Sequence, residues 1–462
     1  MLDETTLAPL SEEAQASRME KGMARAQARR VQQAQKGRLL SPRGAIILVS
    51  FQDKAFQATN EDMTDWAMGD DYTYNGATGS IRQYFLDQSW GEYDLQLDVY
   101  GPVTVSQNYS YYGANDSRGD DKHADEMVKE ACILAHDSCG ADFSQYDSDG
   151  DGEVDWVVVL YAGKGEADGG ASNTIWPHQY ELSYTGMSFP LDDKIVDHYC
   201  CLNEIDGQTN KRGGIGTFCH EFSHIMGLPD FYATNGATHH TLCDWDILDY
   251  GPYNNGGNTP PCYSAYERWF MGWSTPRVLT DPEYVTLHPL HDSKESLLMC
   301  SSDVHNLDGV NPNPRTFYLM EVRRRNGVVW DKYLPGRGLL ITKIKYTASK
   351  WVNNEVNNNA TSMGVDIMEA KANNTTGYSA KGKSTDTYPA GATEFTLLVD
   401  HELTEIAFQD STDNIVFSYR GAEKPEAVEI VEAGKSAVKR IENGRVVIVR
   451  DGVKFDILGN RL

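Results

Sequence analysis

Residues 216–232 read GTFCHEFSHIMGLPDFY, and this stretch decides how the rest of the chain is interpreted. It predicts a helix that Gly227 terminates. His220 and His224 are four residues apart, so one turn separates them and both imidazoles project from the same face of the helix. Two such nitrogens can bind one Zn²⁺ at about 2.0–2.1 Å. The adjacent Glu221 is placed to hold a water molecule and take its proton, so the pattern indicates metal-assisted hydrolysis.

Two carboxylates are candidates for the third zinc ligand. Asp230 follows Gly227 by three residues, which is the metzincin layout HExxHxxGxx with Asp in the place of the usual third His. Asp230 could instead cap the next segment or orient His224. Glu267, in the predicted helix SAYERWFMG, is the alternative ligand, in the arrangement that takes a Glu from a later helix. With either ligand the fourth position stays open for water, as a catalytic site requires.

Two tyrosines are candidates for stabilising a tetrahedral intermediate. Tyr250 and Tyr253 follow the WDIL segment, near the place where metzincins often have a tyrosine. A phenolic donor aimed at the developing oxyanion would serve that purpose. Packing of the two aromatic rings in the core is the alternative interpretation.

The segment DSDGDGEVD (147–155) predicts a second metal site, for Ca²⁺. Its candidate ligands are Asp147, Asp149, Asp151, Glu153 and Asp155. Closely spaced carboxylates repel one another unless a cation lies among them, and Gly152 at the sixth position permits the sharp turn. Position twelve is Val158, so the bidentate Glu of an EF-hand is missing. We expect a structural calcium loop, with an exposed acidic turn as the alternative.

The flanking sequence predicts an α/β (α+β) zincin-like catalytic domain over residues 41–275. The β-prone runs GAIILVSF and DWVVVLYAG alternate there with helical patterns. Beyond it, short alternating runs such as TFYLMEVRRR and RGLLITKIKY are separated by turn residues. They predict an all-β sandwich domain over residues 276–421.

The two ends of the chain have a different character. Residues 1–40 are polar and predict a leader or the remnant of a pro-segment. The start lacks the basic and apolar regions of a signal peptide, and we expect that the sequence begins after one. Residues 422–462 predict a C-terminal β-hairpin tail, with turns at Asn443-Gly444 and Asp451-Gly452.

The amino-acid composition makes some classes of binding partner unexpected. The 462-residue chain has 67 acidic and 41 basic residues, a net charge of −26, so nucleic acid and anionic lipid are not expected partners. It has no run of about 18 apolar residues, so no membrane span is predicted. The eight cysteines include no CxxC pair, and both disulfides and buried thiols are compatible with them. We expect a monomer that acts on proteins or peptides.

Several segments resemble, in the same order, the immune inhibitor A-like metallopeptidases, which are secreted bacterial zinc proteases. The segments are GAIILVSFQDKAF (44–56), DFSQYDSDGDGEVDWVVVLYAGKGEADGG (142–170), TIWPHQY (174–180), GTFCHEFSHIMGLPDFY (216–232), WDILDYGPYN (245–254) and TPPCYSAYERWFMGWSTP (259–276). The β region is similar through FYLMEVRRR, WDKYLPGRGLLITKIKY and DTYPAG, so the likeness covers about 45–421. It implies a secreted zinc endopeptidase, made as a zymogen, with His220 and His224 as ligands and Glu221 as base.

The chain departs from this family at two positions. Leu248 stands where the family usually has a Met that resembles the Met-turn of metzincins, a volume-conserving difference from which we expect a small cost. Lys343 stands where the family has a His, which casts doubt on any role of that His here. The final 35 or so residues resemble C-terminal tails of secreted Bacteroidetes proteins, which implies export and attachment to the cell surface; a simple terminal hairpin is the alternative.

The sequence therefore favours a secreted zinc-dependent endopeptidase that cleaves extracellular proteins. A zinc amidase acting on peptidoglycan or modified peptides would use the same chemistry and is the alternative among enzymes. A surface adhesin with structural zinc and calcium is the alternative outside enzymes. Glu221 argues against it, because a purely structural metal site needs no general base.

Overall fold

The structure is a computed structural model. It describes residues 23–24, 41–117, 119–327, 330–376, 380–409, 411–425, 438–442, 445–450, 453–456 and 461–462. Apart from Met23 and Ala24, the predicted leader over 1–40 lies outside the described residues. The chain divides into two compact units, Met1–Gly421 and Ala422–Leu462.

Residues 41–275 contain both helices and strands. The α-helices in the described part of the larger unit are α1 (Asn60–Met68), α2 (Ile81–Gln88), α3 (Tyr109–Tyr112), α4 (Ala124–Cys139), α5 (Gly216–Ile225), α6 (Ala265–Phe270), α7 (Leu290–Ser293) and α8 (Ala348–Val352). The first seven strands are β1 (Arg43–Ser50), β2 (Gln96–Thr104), β3 (Val157–Tyr161), β4 (His178–Glu181), β5 (Phe189–Leu191), β6 (Lys194–Val196) and β7 (His198–Asn203). The mixed α/β class expected from the sequence is thus present.

A five-stranded sheet in the order β2-β1-β3-β7-β4 forms the centre of this region. Its first four strands are parallel, and β4 pairs antiparallel with β7 at the edge. Strands β1 and β3 are continuous apolar runs that are buried along nearly their whole length. Such runs are typical of parallel strands, because both faces of the sheet are covered.

Helix α5 carries the HEFSH motif and ends at Ile225, two residues before Gly227. Gly227 has a φ of 98°, which only glycine adopts readily, and its N–H donates to the His224 carbonyl oxygen. At the other end of the helix, a Cβ on Gly216 would lie 2.0 Å from the carbonyl oxygen of Pro252. These two glycines therefore allow the helix to start against the 250s loop and to turn sharply after the second histidine.

Strands dominate the part of the larger unit after residue 276. They are β8 (Arg277–Val278), β9 (Glu283–Leu287), β10 (Leu297–Met299), β11 (Thr316–Arg323), β12 (Gly338–Lys345), β13 (Val365–Ile367), β14 (Leu403–Phe408) and β15 (Ile415–Tyr419). One sheet has the order β13-β12-β11-β10-β8, and a second has the order β14-β15-β9. Alternate residues of β11, such as Tyr318 and Met320, pack in a core with β9, β14 and β15.

The predicted all-β sandwich domain is not confirmed as a separate unit. The other face of β11, with Phe317 and Leu319, belongs to the same hydrophobic core as the central parallel sheet. The region also contains α7 and α8. Period-two alternation predicts strands correctly, but it does not reveal what covers each face. Here the face with Phe317 and Leu319 packs in the core of the central parallel sheet.

The smaller unit contains three antiparallel strands: β16 (Val438–Glu442), β17 (Arg445–Arg450) and β18 (Val453–Phe455). The predicted turns at Asn443-Gly444 and Asp451-Gly452 lie outside the described residues. No helix in the described ranges is long and apolar enough to cross a membrane. All eight cysteines are described and none forms a disulfide, so the thiol alternative applies in this structure.

Candidate metal centre

Helix α5 and the turn after it bring three potential metal ligands together. The His220 and His224 Nε2 atoms are 3.2 Å apart, and each lies 3.2 Å from Oδ1 of Asp230. Ligand atoms at about 2.0–2.1 Å from a tetrahedral metal are separated by about 3.3 Å. The three atoms therefore form a triangle of the size that one zinc ion requires, with a fourth direction left over.

Hydrogen bonds on the far side of each imidazole fix its orientation. His220 Nδ1 lies 2.8 Å from the carbonyl oxygen of Ile247, and His224 Nδ1 lies 2.8 Å from that of Leu228. A carbonyl can only accept, so Nδ1 of each ring carries the proton and Nε2 presents its lone pair to the centre. This is the tautomer that a metal-binding histidine needs.

The electrostatics of the cluster favour a cation. His220, His224 and Asp230 are all buried. Burial has the largest effect on the pKa of His220 and lowers it, but the Asp230 carboxylate outweighs burial and raises the pKa to about 9. Oδ1 of Asp230 accepts no hydrogen bond within the described part of the chain. A positive charge at the centre of the triangle would satisfy this oxygen, so the donor set fits the divalent metal that the motif implies.

The alternative third ligand, Glu267, does not join this cluster. Among the described residues, the group whose ligand atoms lie within 4.8 Å of one another contains Asp230 but not Glu267. The Glu267 carboxylate instead accepts the N–H of Ser264 in a capping box at the start of α6. Burial, followed by the charge of Asp246, raises the pKa of Glu267 well above its ordinary value. The geometry thus favours Asp230 as the third ligand.

Glu221 lies on α5 directly after the first histidine and is only 3% exposed. Adjacent residues on a helix point about 100° apart, so its carboxylate flanks the metal triangle without belonging to it. That placement suits a group that handles the proton of a water molecule, because a base must reach the water and leave the coordination positions to other side chains.

The structure places the candidate tyrosines beside each other in the loop after WDIL. The Tyr250 and Tyr253 rings are 5.0 Å apart and both are half-buried. Nζ of Lys381 lies 3.7 Å from the centre of the Tyr250 ring. Sequence reasoning overlooked Tyr232, whose ring lies parallel to that of His220 at 6.5 Å and lines a small cavity together with Tyr250. The signal in the sequence for Tyr232 is that it follows the candidate ligand Asp230 by two residues.

The comparisons with known proteins address the region that contains this centre. Residues 48–275 match the family model described as the immune inhibitor A peptidase M6 catalytic domain. This chain belongs to that family. It is 26% identical over 283 residues to the pre-pro-metalloprotease PrtV of two Vibrio cholerae serotype O1 strains, covering 52% of this chain and 31% of each relative. It is 28% identical over 217 residues to immune inhibitor A of Bacillus thuringiensis subsp. alesti, covering 42% of this chain and 31% of the relative.

Membership of a metalloprotease family implies that this peptidase domain uses a metal, and it is consistent with protein substrates. The chain spans about a third of the length of the curated relatives that it matches. The relatives are bacterial proteins. These comparisons give no support to surface attachment of the Bacteroidetes type.

The acidic loop of the peptidase domain forms a second cluster. Asp147, Asp149 and Asp151 each offer an oxygen within 4.8 Å of the others. Gly150 and Gly152 have φ angles of 80° and 90°, so the two glycines allow the chain to turn tightly around the carboxylates. The turn is stabilised internally, because both oxygens of Asp147 accept backbone N–H groups of the loop.

Lys194 pairs with this loop, and two of the predicted calcium ligands, Glu153 and Asp155, contact other groups. Lys194 Nζ lies 2.6 Å from Oδ2 of Asp147 and compensates part of the negative charge. Oε2 of Glu153 lies 3.7 Å from Nε2 of His198, and Oδ2 of Asp155 accepts the N–H of Ser148. The structure therefore gathers the first three predicted calcium ligands and does not bring Glu153 and Asp155 into the same cluster.

Proposed function

We propose that this chain is a secreted zinc-dependent endopeptidase that hydrolyses peptide bonds of extracellular proteins. The observation that carries the proposal is the buried triangle of His220, His224 and Asp230, with sides of 3.2 Å and with Glu221 beside it. Two neutral imidazoles and one carboxylate give a bound Zn²⁺ a net charge of +1. That leaves it strongly electrophilic, which suits catalysis more than a purely structural site.

Zn²⁺ supplies Lewis acidity at this centre. Glu221 takes the proton of the attacking water and later gives it to the amide nitrogen of the leaving group. The buried environment of Glu221 helps the second step, because exclusion of water keeps the proton on the carboxyl group until the nitrogen becomes basic. His220 and His224 hold their orientation throughout, since each Nδ1–H stays bonded to a backbone carbonyl.

Tyr250 and Tyr253 are proposed to stabilise the negative charge that develops on the substrate carbonyl oxygen. A phenol O–H can donate a hydrogen bond, and both rings are half-exposed, where a substrate can reach them. The ammonium group of Lys381 lies 3.7 Å from the centre of the Tyr250 ring and places a positive charge beside this proposed donor. Each tyrosine keeps aromatic packing as its alternative role.

The acidic loop is proposed to bind Ca²⁺ through Asp147, Asp149 and Asp151. Three carboxylates within 4.8 Å of one another support this proposal. Its role would be to hold the entry to strand β3, which begins six residues after Asp151. Lys194 would have to move or share Asp147 with the ion, so the affinity would be modest.

Secretion and latency are further proposals. One of the relatives is named a pre-pro-metalloprotease, and residues 1–40 of this chain are proposed to be what remains of a pro-segment. We also propose that the protein acts as a monomer. Measuring the mass in solution and comparing the activity before and after removal of residues 1–40 would test these two points.

The decisive test compares the protein with its Glu221→Gln variant on casein, after bound zinc has been measured by elemental analysis. We expect one zinc per chain in both proteins, and activity lower by about 10²–10⁴-fold in the variant. Glu61→Gln, on the exposed first turn of α1, is the matched control and keeps full activity. Intact casein together with cleaved peptidoglycan fragments would instead indicate the amidase. Bound zinc with no hydrolysis of either substrate, also after removal of residues 1–40, would leave the adhesin.

A further inference from the structure

The third metal ligand is held by a residue from outside the matched peptidase domain. Nδ2 of Asn354 donates to Oδ2 of Asp230 at 2.7 Å, and the backbone N–H of Asp230 donates to Oδ1 of Asn354, also at 2.7 Å. These two bonds join Asp230 and Asn354 in a hydrogen-bonded ring, although the two residues are 124 positions apart in the sequence. Asn354 lies just after α8, well beyond the family match that ends at residue 275.

This ring determines which oxygen of Asp230 faces the histidines. Because Oδ2 is engaged by the Asn354 amide, Oδ1 points toward the two Nε2 atoms, each 3.2 Å away. Asp230 is fully buried and Asn354 is 2% exposed, so water has little access to replace the amide donor. Without Asn354, the carboxylate could rotate and lose the orientation that completes the triangle.

Two more asparagines after α8, Asn357 and Asn358, bond to residues that follow Asp230 in the chain. Nδ2 of Asn357 donates to the carbonyl oxygens of Phe231 and Val365, and Oδ1 of Asn357 accepts the N–H of Val365. Asn358 Oδ1 accepts the hydroxyl of Thr234 at 3.1 Å. The segment 353–358 therefore joins the metal-ligand loop to strand β13, although Asn354 alone touches the ligand carboxylate through these bonds.

We propose that Asn354 is a positioning residue for the Asp230 ligand, so that the region after residue 276 completes the metal site of the peptidase domain. This inference rests on the proposed function, because it takes Asp230 as a ligand of the catalytic metal. Partners that orient a ligand in this way typically change metal affinity by about 10–100-fold when they are removed.

The backbone at Asn354 decides which substitution is informative. Its φ of 56° lies in the left-handed region, where Asn and Gly are tolerated and residues such as Ala and Ser are strained by their Cβ. Asn354→Gly therefore removes the amide without adding backbone strain.

The experiment measures the dissociation constant of Zn²⁺ by competition with a chelator in the full chain. We expect Asn354→Gly to raise this constant by about 10–100-fold. Asn359→Ala is the matched control, since the exposed side chain of Asn359 bonds only to Thr361 in the contacts described; its constant stays unchanged. Asn357→Ala tests a purely structural effect, and we expect it to lower the melting temperature with little change in the constant.

A second readout is the visible absorption of the Co²⁺-substituted protein, which reports ligand geometry. Asn354→Gly should alter this spectrum and Asn357→Ala should not. An unchanged constant and spectrum in Asn354→Gly would overturn the inference, as would equal losses of affinity in Asn354→Gly and Asn357→Ala. If the unmodified protein bound no Zn²⁺ at all, the proposed function itself would fail, and this inference with it.

Discussion

The buried triangle at α5 and the acidic loop before β3 both place three ligand atoms within 4.8 Å, yet their surroundings are opposite. All three residues of the triangle are buried, whereas Asp149 and Asp151 in the loop are exposed. The triangle is oriented by carbonyls and by an amide from other parts of the fold. The loop is held by its own backbone N–H groups and by Lys194.

The difference lies in what each cluster requires to be stable. Inside the protein, the negative charge of Asp230 needs a cation, either a proton on the histidines or a metal, because this residue is fully buried and away from bulk solvent. In the exposed loop, water and Lys194 already moderate the repulsion between the carboxylates. A cation is thus integral to the triangle and optional for the loop.

The same substitution in both clusters gives the largest expected contrast. Asp230→Ala removes one of the three proposed ligands and the carboxylate that pairs with both histidines, so we expect loss of bound zinc and about 3–5 kcal/mol lower stability of the metal-free protein. Asp149 is exposed to solvent, so Asp149→Ala should change the free energy of unfolding by no more than about 0.5 kcal/mol. It should also leave the bound zinc in place. Elemental analysis and urea unfolding measure both effects. Similar losses in the two variants would mean that burial does not separate the clusters.

The second-largest expected effect is the change in the stability of the metal-free protein with pH. The folded-state pKa of His220, about 9, lies above its ordinary 6.5. Protonated His220 therefore contributes stability that is fully present below pH 6.5 and is lost as pH rises through 9. Urea midpoints of the metal-free protein should fall over this window, and bound zinc should remove the dependence. Asp230→Asn is the control, because its midpoints should not show this fall; a midpoint that rises with pH in the metal-free protein would contradict the prediction.

The sequence predicts the residues of these two clusters best where they lie close to one another along the chain. The histidines and Glu221 lie on one helix, where the spacing of four residues fixes their common face. Asp230 follows within one short turn, and the acidic loop is contiguous. Asn354 is different, because it reaches the site only when β12, β13 and α8 have folded, and no local pattern in an asparagine-rich segment indicates that destination.

The sheet that contains β11 and β12 shows the same dependence at the level of the fold. The alternating sequence predicts strands there, and strands are present. It does not predict that the sheet shares a core with the central parallel sheet. Strand β11 is buried at seven of its eight residues, a run that is expected for a strand covered on both sides. The apolar residues of FYLMEV are the signal in the sequence for that burial.

A smaller effect is expected from Lys194, which lies on β6 and pairs with Asp147 of the loop. Burial raises the pKa of Asp147, but Lys194 and the N–H groups of Gly150 and Gly152 outweigh it and lower that pKa. Lys194→Met removes a charge that competes with Ca²⁺. We expect calcium affinity to rise by at most about fivefold, because an ion pair that solvent can reach is weak.

Calorimetric titration with Ca²⁺ measures this change. Lys294→Met removes an exposed ion pair with Glu92 elsewhere and serves as the matched control, with unchanged affinity. Absence of calcium binding in all three proteins would identify the loop as an acidic turn and would leave the zinc triangle as the only one of the two clusters that functions as a metal site.

A change of a different kind is expected at Leu248, which follows the Ile247 carbonyl that orients His220. The Leu248 side chain is fully buried, but its hydrogen bonds come from the backbone: the Leu248 carbonyl accepts the N–H of Phe231, and its N–H donates to Asp246. Leu248→Met keeps the volume and these bonds, so stability should change by less than about 1.5 kcal/mol. Leu248→Ala, which leaves a cavity, should cost about 2–5 kcal/mol. Urea unfolding and the zinc dissociation constant test this together. A markedly tighter zinc constant in Leu248→Met would show that a sulfur at this buried position does something that packing alone does not, and the triangle would then depend on more than its buried charge.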